Sequence, residues 1–426
     1  MDQDTGLAVG YGECIVTPPL GLELAGYGYY LERRAQAILD ELKARAVFVR
    51  SGQQTLLLIC CDLIGLTVVH TDAIRQAIGQ RLGIAETNIL VACTHTHTGP
   101  ATLPLFGVGE MDDVYVATLA GLVEQAAVAA QADCQPASLA YAMQNIEPIG
   151  YNRRTRSFQP IDSVLKVALF ERAERSIVLT GYACHAVTLG RTASASADWP
   201  GGVVRAFERR GYHALAFQGF CGDIDPVVFM NAWGSGTPQD LDFYGELICQ
   251  RALKSVAGAQ REKWPVLQAV EERIALPLNV PPTRADVDRG LESLLATQPG
   301  AGAERMIRTW HAAASARYDE LRAAPYIPNV PVQALALGGL RLLGLPGEVF
   351  SEYSTRLRTT WPTLFTVGYA GGCVSYIPTA EAYDHAGDYA CYSAPRFFCL
   401  FPFERSVESL VLAASERVLQ RLGRVG

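Results

Sequence analysis

The fold is decided by residues 55–93, TLLLICCDLIGLTVVHTDAIRQAIGQRLGIAETNILVAC. The apolar run at 56–63 predicts a buried strand, residues 70–82 repeat apolar side chains at helical spacing, and residues 88–93 form a second apolar strand. Strand, helix and strand in this order make a βαβ unit, which implies parallel pairing with a right-handed crossover. The sequence therefore predicts an α/β fold with mixed sheets and flanking helices.

The same alternation continues on both sides of this unit. It predicts a strand at 46–50, a helix at 114–130, strands at 163–170 and 176–184, a helix at 200–210 and a strand at 214–217. Residues 332–345 predict a pair of short strands, and residues 407–422 predict an amphipathic helix. Residues 281–324, two helical stretches broken by QPGAGA at 298–303, predict an inserted helical hairpin. We expect one domain over residues 1–426, with this insertion inside it.

Composition excludes several classes of protein. The 426 residues carry 36 basic and 43 acidic side chains, a net charge of −7, without a basic cluster that would bind a nucleic-acid backbone. The N-terminus lacks the charge pattern of a secretory signal, and no apolar run approaches the roughly 20 residues of a membrane span. The 11 cysteines are an odd number without a C-x-x-C pair, which favours reduced thiols and a cytoplasmic location.

Two histidines follow the last strand of the βαβ unit, in THTHTGP at 94–100. In extended backbone, residues i and i+2 point to the same side, so His95 and His97 can reach one site. Open α/β sheets place ligands beyond the carboxyl ends of their strands, which is where this motif lies. A pair of structural histidines would fit the motif alone equally well.

Further polar residues occur where other predicted strands end. His185 closes the strand ending in YACH, and GFCGDIDP at 219–226 supplies Asp223 and Asp225 in a turn-like loop. Glu348 lies in GLPGEVF at 344–350, at the predicted start of a helix, where a glutamate could also serve the helix dipole alone. These positions repeat the geometry of the His95 motif at other strand ends.

Two histidines and a glutamate on separate strand-end loops form a ligand set typical of catalytic zinc, which keeps one position for water. The chain has no G-x-S-x-G elbow, no H-E-x-x-H motif, no Walker loop and no G-x-G-x-x-G sequence that opens a helix. The short GYG motifs at 10–12 and 26–28 predict turns.

The order of these motifs resembles the catalytic domain of the neutral/alkaline, non-lysosomal ceramidase family. The resemblance runs over nearly the whole chain. The matching segments are CIVTPPL at 14–20 with GYG at 26–28, ARAVFV at 44–49, THTHTGP at 94–100, YNRR at 151–154, YACH at 182–185, SADWPG at 196–201, GDIDP at 222–226, LPGE at 345–348 and GYAGGCVSYIPTAEAY at 368–383.

The resemblance implies an α/β catalytic domain with one zinc ion, which hydrolyses the amide of an N-acylated sphingoid base. The zinc ligands that it implies are His95, His185, Glu348 and Tyr376. Three other tyrosines near Tyr376 leave the fourth ligand open: Tyr369, Tyr383 and Tyr389.

The resemblance also implies roles for residues beside the zinc. His97 would orient water or protonate the leaving amine, a role suited to a side chain that titrates near neutrality. Arg153 would face the polar part of the substrate, although a surface arginine is the alternative. Asp225 stands where the ceramidases carry a serine near the reacting carbonyl, so we expect different polar groups of the substrate to be tolerated. The segment HAGDYA at 385–390 departs from the family, and we expect neither a leader nor a C-terminal immunoglobulin-like domain.

We therefore expect a zinc-dependent hydrolase of a non-peptide amide, in which metal-bound hydroxide attacks the carbonyl. In this hypothesis zinc and Tyr376 stabilise the oxyanion, His97 moves the proton, and Glu348 is a ligand without a role as base. The expected substrate is a ceramide-like N-acyl lipid. The nearest competitor is a small polar amide or lactam in the cytoplasm, which converging Arg, Asn or Asp side chains would favour over apolar lining.

Two further alternatives remain open at this point. An amidohydrolase-type (β/α)₈ barrel also begins with H-x-H, but it places the motif on its first strand. A non-catalytic binding protein would use the metal for stability, with the fourth position closed by Tyr376 or Cys373.

Overall fold

The computed structural model describes residues 6–423. The strands are β1 Leu7–Ile15, β2 Ala37–Ile38, β3 Lys43–Ser51, β4 Gln54–Cys61, β5 Ile89–Cys93, β6 Gln135–Asn145, β7 Gly150–Asn152, β8 Val164–Arg172, β9 Ile177–Tyr182, β10 Ser194–Ala195, β11 His213–Gln218, β12 Ile224–Pro226, β13 Leu267–Pro277, β14 Tyr326–Leu337, β15 Leu340–Gly344, β16 Glu348–Val349, β17 Leu364–Val367 and β18 Tyr376–Ile377. The α-helices are α1 Val68–Leu82, α2 Asp113–Ala132, α3 Asp198–Glu208, α4 Pro238–Val256, α5 Arg284–Ala296, α6 Ala301–Ala316, α7 Tyr318–Ala323, α8 Ser351–Thr360, α9 Ala394–Phe397 and α10 Val407–Arg421.

The largest sheet has eight strands in the order β11-β9-β8-β6-β1-β3-β4-β5. The strand pair β4 and β5, joined by α1, is parallel, as the βαβ pattern predicts. The pair β9 and β11 is also parallel, and β8 pairs antiparallel with β9, so the sheet is mixed. The predicted α/β class with mixed sheets and flanking helices is confirmed.

A second sheet of four strands, β13-β14-β15-β17, packs against the first. Apolar side chains of both sheets form one cluster between them, for example Val47, Leu58, Leu335, Leu342 and Phe365. Helices α1 to α4 contribute to the apolar cluster on the other face of the large sheet, and α6, α8 and α10 to the cluster on the other face of the small one. The resulting layers are helix, sheet, sheet and helix. This is not the closed parallel barrel of the amidohydrolase alternative, which is wrong.

The insertion consists of α5, α6 and the short α7, at the position where the sequence predicts two helical stretches. Helices α4 and α5 begin with the same capping motif. Thr283 and Asp286 at the start of α5, and Thr237 and Asp240 at the start of α4, each form a capping box. The single-domain organisation stays a prediction.

The sequence analysis missed several elements, among them the strands β1, β6, β13 and β17 and the helix α4. Helix α4 has a signal in its capping box and in Pro238 within its first turn. Strand β13 has the sequence LQAVEERIALP, whose central Glu-Glu-Arg residues favour helix when considered alone. Pairing with β14 over nearly its whole length overrides that preference.

The glycines at 10 and 12 lie inside β1, so the predicted turn is wrong there. A Cβ atom at Gly10 would approach the carbonyl oxygen of Ala130 to 2.0 Å, and one at Gly12 would approach that of Ala126 to 2.2 Å. Both carbonyls belong to α2. The glycines therefore let this helix lie directly on the strand.

Helix α2 is long and apolar enough to cross a membrane by length and composition, which the sequence analysis did not foresee. One of its faces is buried in the core, with the buried side chains Tyr115, Leu119, Val123, Ala126, Ala127 and Ala130. This buried face packs on β1 and β3.

Candidate metal site and cavity

The candidate ligands converge from the carboxyl ends of strands in both sheets. His95 follows β5, His185 follows β9, and Glu348 lies on the short strand β16 just after β15. Tyr376 begins β18, which pairs with β16 so that Tyr376 stands beside Glu348. Glu348 precedes α8 by three residues, so the interpretation of Glu348 as a helix-dipole residue is wrong.

Backbone carbonyls orient two of the imidazole rings. The Nδ1 atom of His95 lies 2.6 Å from the carbonyl oxygen of Ile64, and Nδ1 of His185 lies 3.1 Å from that of Ile224. A carbonyl only accepts, so each Nδ1 carries the proton and each Nε2 presents a lone pair. This is the orientation that metal-binding histidines use.

His95 does not have the extended backbone that the H-x-H argument assumes. Its φ is 60°, in the left-handed region, and its ring stacks on Tyr369 at a centroid distance of 4.1 Å. The Nε2 atoms of His95 and His97 nevertheless lie 3.0 Å apart. The two imidazoles therefore share one site, although through a turn and not through strand alternation.

The nitrogen lone pairs meet a carboxylate at the centre of the site. Oε2 of Glu348 lies 3.0 Å from Nε2 of His185 and 3.5 Å from Nε2 of His95. These three facing atoms are all acceptors, and all three side chains are buried. The lone pairs of these three atoms repel one another unless a cation lies between them. The three side chains therefore fit a metal ion as its ligands.

The three histidines His95, His97 and His185 form a group that could bind a metal ion, with one ligand atom of each within 4.8 Å of the others. Burial lowers the pKa of His97 well below its usual value, and the His95 and His185 imidazoles lower it further. Burial also lowers the pKa of His185. Neutral imidazoles beside an ionised carboxylate are the protonation states that bind a metal.

Arg153 joins the tyrosine to the GDIDP loop. Its guanidinium donates to the hydroxyl of Tyr376 at 2.9 Å, to the carbonyl of Gly222 at 2.7 Å and to Oδ1 of Asp225 at 3.4 Å. Burial raises the pKa of Tyr376 well above its usual value, against the opposing charge of Arg153. Asp223 faces elsewhere, since it accepts from the backbone of Ser351 at 2.7 Å.

The neighbouring tyrosines have other contacts. The hydroxyl of Tyr369 lies 3.4 Å from the sulfur of Cys221, and the ring of Tyr389 packs against Phe397 with 6.1 Å between the ring centroids. Tyr376, by contrast, stands in register with Glu348.

A cavity of about 1030 Å³ opens onto these residues. Five residues of the site line it, namely His97, His185, Arg153, Asp225 and Tyr376. Its remaining lining combines aromatic and charged side chains, namely Tyr27, Tyr29, Phe229, Trp233, Phe350, Tyr389, Arg154, Arg191, Glu352, Glu381, His385 and Asp388. The site is therefore open to a small molecule and is only partly apolar.

The sequence analysis missed the residues that hold His97. A Cβ atom at Gly26 would lie 2.2 Å from Nδ1 of His97, so only glycine leaves room for this ring. Arg33 donates to the carbonyl of His97 at 2.5 Å, and the ring of Tyr27 packs edge-on against the imidazole at 5.4 Å. The GYG motif at 26–28 was the available signal, because its residues have positive φ.

Comparison with solved structures gives the same fold in two ceramidase structures. The neutral ceramidase from Pseudomonas aeruginosa matches with a TM-score of 0.75 and 18% identity over 98% of this chain and 75% of that chain. A structure described as ceramidase complexed with C2 matches with a TM-score of 0.74 and 17% identity over 99% of this chain and 76% of that one. No family model and no curated protein sequence matches this chain. The fold therefore resembles that of neutral ceramidase.

Proposed function

We propose that this protein is a zinc-dependent hydrolase that cleaves the amide bond of an N-acyl substrate. The observation that carries the proposal is the meeting of the Nε2 atoms of His95 and His185 with Oε2 of Glu348, next to an open cavity that His185 and Tyr376 line. The ceramidase-like fold supports the same reaction class.

The proposed ligands are His95, His185, Glu348 and Tyr376. Nitrogen and oxygen donors of this kind suit zinc, and the two oriented imidazoles need no rearrangement to bind it. Zinc, when bound, lowers the pKa of a coordinated water to about 7 and polarises a carbonyl oxygen.

His97 is proposed to move the proton. Its Nδ1 is buried without a hydrogen-bond partner among residues 6–423, whereas the Nδ1 atoms of His95 and His185 contact carbonyls. A ring without such an anchor is less suited to be a fixed ligand and better suited to exchange a proton. It also lines the cavity, where the leaving amine would lie.

Arg153 and Tyr376 are proposed to stabilise the charge that develops on the carbonyl oxygen. Arg153 donates to the tyrosine hydroxyl, which favours donation by that hydroxyl towards an oxyanion. Asp225 holds the guanidinium in this orientation, so its proposed role is positioning.

The residues that line the cavity help to decide between a lipid amide and a small polar amide as the substrate. A ceramide-like lipid calls for mostly apolar walls, and apolar atoms do form the larger part of this lining, but the cavity also carries three arginines, namely Arg153, Arg154 and Arg191, together with several carboxylates. This observation favours the second candidate, a small polar amide, with the same metal and the same reaction. We propose that the protein is cytoplasmic, whichever of the two substrates it cleaves.

The test combines metal analysis with a substrate panel of N-acyl sphingosines, short polar amides and lactams. One zinc per chain with release of amine from any of these amides supports the proposal, and the member cleaved identifies the substrate branch. Bound zinc without hydrolysis would favour the metal-stabilised binding protein instead. Absence of any metal after purification and zinc addition would contradict the proposal.

A further inference from the structure

The three arginines of the cavity differ in their partners. Arg153 pairs with Asp225, and Arg154 pairs with Asp388 at 2.8 Å. Arg191 has no carboxylate oxygen within 4 Å of its guanidinium among residues 6–423. Its Nε donates to the carbonyl of Tyr27 at 3.1 Å, which leaves the two Nη groups without a hydrogen bond in the same range.

Arg191 is an exposed side chain that packs on an aromatic cluster. The guanidinium stacks over the ring of Trp233, with 5.2 Å between its carbon and the ring centroid. Trp233 in turn packs against Tyr27 at 5.6 Å and Phe229 at 5.7 Å. Stacking on an aromatic face leaves the edge of a guanidinium, where its N–H groups point, free to bind a planar anion.

The loops that carry Arg191 and Trp233 interlock through glycines. A Cβ atom at Gly190 would lie 2.4 Å from the carbonyl oxygen of Gly234, and one at Gly236 would lie 2.0 Å from that of Thr188. Gly190 also has a φ of 66°, which favours glycine. The backbones therefore touch, so the two loops that carry Arg191 and Trp233 are held side by side before any ligand binds.

We propose that Arg191 binds a carboxylate of the substrate, so that the natural substrate is an acidic amide. The proposal rests on the proposed amide hydrolase function and names its substrate class. Arg191 lines the same cavity as His97 and His185, and it follows His185 by only six residues. A guanidinium binds a carboxylate through two parallel N–H donors, and the free Nη groups of Arg191 supply this fork.

The experiment uses matched pairs of amides that differ only in charge. One set compares N-acyl amino acids with their methyl esters, and the other compares monoamides of dicarboxylic acids with the corresponding diamides. In at least one set the wild-type protein should cleave the acid with a kcat/KM at least ten times that of its neutral partner. Arg191→Gln should abolish this preference by lowering the kcat/KM of the acid towards that of its neutral partner.

A control variant tests whether the preference for acids needs Arg191 itself or only a positive charge nearby. Arg156 lies close to the same turn, where its guanidinium contacts the carbonyl of Met230, but it does not line the cavity. Arg156→Gln should keep the full preference for the acid. An equal loss in both variants, or equal rates for acid and neutral partner in the wild-type protein, would overturn the proposal.

Calorimetry in the presence of a chelator separates this proposal from the function itself. The acid should bind the chelated wild-type protein, with a Kd at least tenfold higher in Arg191→Gln. Such binding without hydrolysis by the zinc-loaded protein would refute the amide hydrolase function and leave the carboxylate site supported. Hydrolysis without any preference for acids, together with equal Kd values, would refute only the carboxylate site.

Discussion

Two buried polar clusters show how differently this fold uses charge. In the Lys166 cluster, formed by Asp162, Lys166, Ser354 and Arg358, every contact with the aspartate comes from a donor. Lys166 donates to Asp162 at 2.5 Å, Ser354 at 2.7 Å and Arg358 at 2.8 Å. Burial would raise the pKa of Asp162, but the two cations outweigh it and lower the pKa. This cluster is complete without a ligand.

The histidine cluster, formed by His95, His97, His185 and Glu348, has the opposite character. The facing atoms of His95, His185 and Glu348 are acceptors, because both Nδ1 protons are used by backbone carbonyls. The cluster is buried to a similar degree but lacks a cation. The first cluster is satisfied by its own side chains, whereas the histidines of the second could bind a metal ion. Variants can test this difference separately for stability and activity.

The largest effect is expected for His95→Ala. Loss of this proposed ligand should remove the metal and lower kcat/KM by at least about 10³-fold, equivalent to about 4 kcal/mol. Metal analysis and amide hydrolysis are measured on the same preparation. His311→Ala is the matched control, because His311 lies on α6 and pairs with Asp288 far from the site. Full activity of metal-free His95→Ala protein would contradict the mechanism.

A substitution in the Lys166 cluster should lower the free energy of unfolding and leave the metal content unchanged. Lys166→Met leaves Asp162 with one cation fewer in a fully buried position, so the free energy of unfolding should fall by about 3–5 kcal/mol. Urea denaturation measures this loss, with the exposed Lys254→Met as the control. Unchanged stability would show that the pair is not coupled to folding.

The pH dependence of that loss follows from the lowered pKa of Asp162. A carboxyl group with a lowered folded pKa contributes stability above its unfolded pKa of about 4, and this contribution disappears as the pH falls through the folded value. The difference between wild type and Lys166→Met should therefore narrow below about pH 4. A difference that widens on acidification would contradict this account.

A smaller effect is expected for His97→Ala. If His97 moves the proton and is not a ligand, the variant should keep most of its zinc and lose about 10²-fold to 10³-fold in kcat. Metal analysis decides between the two roles, since the three histidines also form a group that could bind a metal ion. Loss of zinc from His97→Ala would make His97 a ligand.

The sequence predicted the positions of His95, His185 and Glu348 at strand ends because apolar strand runs and the βαβ order are local signals. It could not predict that Tyr376 pairs with Glu348 through β16 and β18, because two-residue strands have no periodicity. The left-handed backbone of His95 and the space that Gly26 leaves for His97 depend on distant parts of the chain. Tyr376 as a ligand and the roles of His97 and Arg153 came only from the resemblance to the ceramidase family.

The smallest expected effect separates stability from function within the histidine cluster. Glu348→Gln replaces one acceptor by an amide that can donate to Nε2 of His185, 3.0 Å away in the wild-type protein. With a chelator present, the variant should match or exceed the wild-type free energy of unfolding, by up to about 1 kcal/mol. With zinc added the order should reverse, because zinc stabilises only the folded state that binds it, and the variant has lost a ligand.

Urea denaturation of both proteins, with chelator and with zinc, measures all four values. A variant that is clearly less stable than wild type under both conditions would show that Glu348 is a structural residue like Asp162. If zinc addition makes the wild type more stable than the variant, the carboxylate of Glu348 lowers the stability of the metal-free protein and raises that of the zinc-bound protein. Its role is then to bind the ion. The test needs no knowledge of the substrate, so it distinguishes the two buried clusters even before any amide has been found to react.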